Sequence, residues 1–200
     1  MRDLGIVETK DDALKTDLFF DVQLIRRGKD HPDLPSANYT FKTYYFDSIE
    51  GFDKSREEII KCCDMFALRA YVSVNAKSKQ EAQKKTLERY AHNVVMGEYR
   101  KPWKDFSSVC GGLDGEKKRW IVDIDDVAPD NFIIHEYEKL INLCDGAGER
   151  RVIMKMTTKS GVHIITHPFN LKQFYDFCKI NMYANPDVKK NHITLLYENL

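Results

Sequence analysis

The chain reads as an α+β protein, and three observations carry that reading. Strand-like segments rich in aromatic and branched residues recur in both halves, and helical segments with their own start signals stand between them. With 42% hydrophobic and 12% aromatic residues, 200 residues bury one substantial core but not two comfortable ones. The expectation is a single domain over 1–200 with submodules about 1–110 and 111–200. An N-terminal β-β-α-β-α module would pack on a C-terminal β-α-β-β-α-β unit.

Leu18 to Arg26 (LFFDVQLIR) and Tyr39 to Phe46 predict two strands, joined across the turn-forming stretch DHPDLPSAN. Asp53 can cap a helix over Lys54 to Phe66, with Ile59, Ile60, Cys63 and Phe66 on one face. Leu68 to Val74 reads as a buried strand. Ser78 and Glu81 stand at capping-box spacing ahead of a long, basic-faced helix to about Gly97, with Ala82, Leu87, Ala91, Val94 and Val95 at helical intervals. Tyr99 to Lys118, with Pro102, Gly111, Gly112 and Gly115, has turn chemistry and reads as a connector.

The second half predicts a strand at Arg119 to Ile124, a helix at Asn131 to Leu143 and strands at Val152 to Thr157 and Val162 to Thr166. A helix at Leu171 to Cys178 and a last strand at Ile193 to Tyr197 complete it. That order is the order of a ferredoxin-like or RRM-like unit, whose helices cover one face of an antiparallel sheet and leave the other for a site.

The 31 basic and 31 acidic side chains cancel, so a polyanionic partner would have to be met by a local patch. The five cysteines form no CxxC pair and have no histidine at zinc-ligand spacing, which excludes a disulfide framework and a structural zinc site as readings. The N-terminal stretch MRDLGIVETKDD has no apolar signal core, and no run is long enough to span a bilayer. A cytoplasmic location, the host cytoplasm for a phage-encoded chain, is the expectation.

RWIVDIDD, residues 119–126, puts Asp123 and Asp125 two apart on a strand, so both carboxylates share one face. They repel unless a cation lies between them, and hard oxygen donors suit Mg²⁺ or Mn²⁺. The competing reading is an acidic solvated turn in which Asp125, Asp126 and Asp130 cap the next helix. In KMTTKSGVHIIT, residues 155–166, Gly161 permits close backbone approach, Ser160 offers a hydroxyl, Lys159 a cation, and His163 sits just inside a strand. This group suits a triphosphate; it reads equally as a hairpin turn with a satisfied histidine.

Together these motifs resemble the archaeo-eukaryotic primase superfamily, including phage and plasmid primase-polymerases. Its pattern is hydrophobic-DxD, a helical spacer, a Ser-containing turn with His on the next strand, and a third carboxylate before a late strand. Asp123 and Asp125 match the metal pair, Ser160 and His163 the nucleotide motif, and Asp187 in NPDVKKNHITLLY the third acid. SGVH is shorter by a residue than the Ser-Gly-Gly-x-His of many relatives.

The resemblance implies metal-dependent, template-directed nucleotidyl transfer. Asp123, Asp125 and Asp187 would hold Mg²⁺ or Mn²⁺, while Lys159, Ser160, His163 and Lys190, with Lys189, would meet the triphosphate. The implied partners are a DNA template and primer, nucleoside triphosphates and a helicase or accessory replication protein. Candidate strand-binding cations are Arg26, Arg27 and Lys29, then Lys77, Lys79, Lys84 and Lys85, then Lys117 to Arg119, with Tyr39, Tyr71 or Trp103 nearby for stacking. Arg69, inside an apolar strand, must pair or point into a site. The alternatives are a non-catalytic nucleic-acid-binding replication module of the same fold and a DxD sugar-nucleotide transferase. The second normally opens with a nucleotide-binding βαβ region, where this chain opens with a hairpin-like segment.

Overall fold

A computed structural model describes residues 17–31, 38–115, 118–146 and 150–198, without the side chain of Lys29. The N-terminal stretch read above, most of the DHPDLPSAN turn, the Lys29 side chain and Lys117 lie outside the described set. The architecture is mixed α+β, with two antiparallel sheets and, among the described residues, five α-helices. The chain divides into two compact units, one formed by Met1–Lys117 with Leu195–Leu200 and one by Lys118–Thr194. No described helix is long and apolar enough to cross a membrane.

In the first unit, β1 (Leu18–Arg26) pairs antiparallel with β2 (Tyr39–Phe46) and β3 (Arg69–Ser73). The last strand, β9 (Ile193–Glu198), completes the order β2-β1-β3-β9, and the two-residue β4 (Lys77–Ser78) also pairs with β1. Period-two alternation sends Phe20, Val22 and Leu24 to one face, where Phe20 meets the rings of Phe46 and Phe52. Asp21 and Gln23 take the other face.

The helix on the apolar face, α1 (Ile49–Phe66), starts five residues before the expected Lys54. Its cap is Ser48, whose hydroxyl oxygen accepts the Gly51 N–H at 3.1 Å, while Asp53 pairs with Arg56 at 3.3 Å. Helix α2 (Lys79–Val95) has the expected Ser78 cap, but of the expected apolar stripe only Ala82 is buried. Ala82 and Asn93 are buried, whereas Leu87 and Val95 are exposed. The reason is its partner, α3 (Pro102–Gly112), in the segment expected to be a connector. Pro102 is not a breaker there but the first helical residue, where its missing N–H costs nothing. Phe106, Val109, Cys110 and Leu113 then close a small core with Phe19 and Ala82. Asp105 is buried between the helices and accepts from Asn93 Nδ2 at 3.0 Å.

The second unit runs β5 (Trp120–Asp125), α4 (Phe132–Leu143), β6 (Val152–Thr157), β7 (Gly161–Thr166), α5 (Leu171–Ile180) and β8 (Asp187–Lys190). Its sheet order is β6-β7-β5-β8, and its neighbouring strands pair antiparallel. Asn131 and Asn170 cap the two helices through their side-chain oxygens. Val122, Ile124, Val162 and Ile164 pack against Ile134, Ile141 and Phe174 to form the core, leaving the odd-numbered residues of β5 for the opposite face. The strand expected to close this sheet was Ile193 to Tyr197. The closing strand is β8 instead, and from Leu195 the chain belongs to the first unit.

Candidate functional site

The second unit's sheet brings its acidic and basic motif residues together by register. On β5, Asp123 lies opposite His163 of β7 on one side and Asp187 of β8 on the other. Asp125, at the end of β5, lies opposite Gly161. Period two puts Asp123, Asp125, His163, Asp187 and Lys189 on one face. Gly161 makes the close approach possible: a Cβ there would run into the Ile124 carbonyl oxygen. The neighbouring turn is tied by Thr158 N–H donating to the Gly161 carbonyl at 2.8 Å and Asp126 N–H to the Ser160 carbonyl at 2.6 Å. Asp126 reaches the latter from a left-handed conformation, φ 58°.

Asp123 is the hub. His163 Nε2 donates to its Oδ1 at 3.0 Å, and Lys189 Nζ donates to its Oδ2. His163 Nδ1 lies 2.8 Å from the Thr194 hydroxyl, so contacts at both ring nitrogens fix the imidazole plane. Burial alone would push the Asp123 carboxyl up; the bonds from His163 and Lys189 outweigh it and hold the group well below the usual carboxylate range. Lys189 Nζ is also 3.8 Å from Asp187, so it bridges two acids. Among the described residues the Asp125 carboxylate has no hydrogen bond or ion pair.

The other expected residues separate. Lys159 and Ser160 are exposed on the β6–β7 turn. Lys190 points to the opposite face from Lys189, its Nζ 4.7 Å from the Trp120 ring centroid. Arg26, Arg27 and Arg69 belong to the first unit. Arg69 is buried and paired, with Asp30 at 2.6 Å and Glu198 at 3.3 Å, while Arg27 donates to the Tyr71 hydroxyl at 3.0 Å. Lys77 is buried against Asp21 at 2.6 Å rather than offered to a strand. Sequence reasoning missed Thr194 as the partner of His163. It also gave Lys189 no role at Asp123; the alternation of DVKK in β8 was the signal that could have found it.

Among the described residues, no group of three or more His, Cys, Asp and Glu side chains is placed so as to hold a metal ion. In kind, the donors suit Mg²⁺ or Mn²⁺: carboxylates on one face of neighbouring strands, with a protein cation already drawn between two of them. In position, a metal ion would have to take the place of Lys189. No family model, curated protein or solved structure matches this chain.

Proposed function

We propose that this chain is the core of a metal-dependent, template-directed nucleotidyltransferase of the primase-polymerase type. The observation that carries the reading is the register of three adjacent strands, which sets Asp123 between His163 and Asp187. The sheet order of the second unit supports a ferredoxin-like split βαβ, and its helices lie opposite the acidic face.

Asp123, Asp125 and Asp187 would hold the metal, which when bound supplies Lewis-acid activation of a 3′-hydroxyl and charge for the pyrophosphate leaving group. The residues themselves supply orientation and donors. Asp123 and Thr194 aim the His163 ring, so a phosphate oxygen that competes for Nε2–H meets a donor already in place. Lys189, half-buried beside Asp123, is the cation best set to neutralise a polyanion entering this face. Lys159 and the Ser160 hydroxyl, on the exposed turn, can follow the same phosphates.

The test is nucleotide incorporation on a primed template with labelled triphosphates and Mn²⁺. Wild type extends the primer, Asp123→Asn and Asp125→Ala fall to background, and products on an unprimed template would make the enzyme a primase. The second reading, a non-catalytic nucleic-acid-binding module, is favoured by the saturation of Asp123 by His163 and Lys189. It wins if the strand binds but no product forms with either metal.

A further inference from the structure

The first unit holds a groove of about 690 Å³ between the β1–β2 face and α3. Its size is that of a small-molecule site. Gln23, Thr43 and Tyr45 contribute from the strands, and Trp103, Phe106 and Ser107 from the helix. Tyr45 and Phe106 meet edge to face at 5.0 Å, and the Tyr45 hydroxyl donates to Ser107 Oγ at 3.1 Å, which leaves the serine proton free to be given. Gln23 Nε2 donates to Asp21 Oδ2 at 2.9 Å, leaving its amide oxygen as an acceptor. The buried Asp21 is itself neutralised by Lys77, and Lys42, which also lines the groove, is paired with Glu58 at 2.8 Å. The groove therefore combines aromatic rings with a donor and an acceptor and carries no uncompensated charge, a chemistry that suits a flat, neutral heterocycle and not a phosphate.

Charge gathers beside Trp103 along the chain. In YRKPWK, residues 99–104, Tyr99 and Trp103 are 84% and 61% exposed, which leaves their ring faces open to stacking. Arg100 is paired with Glu98, but Lys101 and Lys104 have no carboxylate partner among the described residues, and Lys104 Nζ lies 5.8 Å from the Trp103 ring centroid. Exposed rings interleaved with unpaired cations beside a neutral groove are the two halves of single-strand recognition, stacking for the base and lysines for the backbone.

We propose that this groove binds an unpaired base of single-stranded nucleic acid, stacked on Trp103, with the flanking phosphates on Lys101 and Lys104. No residue of the Asp123 site takes part, so the inference stands or falls independently of nucleotidyl transfer.

The test is made in EDTA without triphosphates. Trp120→Phe leaves Trp103 as the only indole, and its emission is followed on titration with a short oligothymidylate, an abasic oligomer of the same length and thymidine monophosphate. Expected are quenching by oligothymidylate alone and an about tenfold or greater loss of affinity in Trp103→Ala for a labelled oligomer. Lys101→Ala with Lys104→Ala should flatten the salt dependence by about 1.4 in log–log slope. Circular dichroism checks that the variants fold. The inference is overturned if the oligomer leaves Trp103 unchanged, if the abasic strand binds as well, if Trp103→Ala binds as tightly, or if the mononucleotide quenches as strongly, which would make the groove a free-nucleotide site.

Discussion

Asp123 has two oxygens and two donors, His163 and Lys189, already placed on them, and that arithmetic governs what can be done to the site. Replacing Lys189 with Met removes the bridge to Asp187 and leaves two acids opposed in register with nothing between them. Without metal the variant is expected to melt lower than wild type, and Mn²⁺ should restore more stability to it than to wild type. Thermal denaturation with and without Mn²⁺ reads both effects. Gly161→Ala meets the Ile124 backbone, which cannot yield as a side-chain tip can, so a loss of about 2–3 kcal/mol in urea denaturation is expected. Thiol chemistry gives a separate check on the cores. Burial pushes the Cys63 thiol up to about 12 and those of Cys110, Cys144 and Cys178 to about 11, so at pH 8 each is almost wholly protonated as well as enclosed. Iodoacetamide should label Cys62, the one partly exposed cysteine, in the native protein and all five in urea.

At the scale of elements, what could be read from sequence depended on whether the signal was local. The bounds of β1, β2 and β6 follow from local runs rich in apolar, branched and aromatic residues, and the starts of α2 and α4 from Ser78 and Asn131. The start of α1 was misplaced because Ser48 and Asp53 are both good caps and only the fold chooses between them. Ser48→Ala should cost about 1 kcal/mol in denaturant melts, and Asp53→Ala much less, since its partner Arg56 is a surface residue. Helix α3 was hidden by Pro102 and two terminal glycines, although Phe106, Val109, Cys110 and Leu113 carry helical spacing. Strand β8 was hidden by its charge: DVKK looks like a loop until Asp187 and Lys189 are recognised as the polar face of a strand beside Asp123. The pairing of Asp123 with His163 was within reach, since both motifs sat on expected strands. The Thr194 contact was not, because it depends on where the chain passes after β8.

For the molecule as a whole, equal numbers of acidic and basic residues mean that no long-range field would draw in a polyanion, and local features would have to do so. Each unit carries one: the second has the acidic sheet face with Lys189 and His163, and the first has the Trp103 groove with its neighbouring lysines. The two are tested apart. Its central claim is that the Asp123 face takes a divalent cation in place of Lys189. The most direct measurement is Mn²⁺ binding by electron paramagnetic resonance to wild type, Asp123→Asn and Lys189→Met. Saturable binding to wild type, loss in Asp123→Asn and about tenfold tighter binding in Lys189→Met are expected, the last because one competing ion pair is gone. No binding to wild type, or binding that ignores both substitutions, would contradict the account and leave Asp123 as the half-buried partner of a histidine and a lysine.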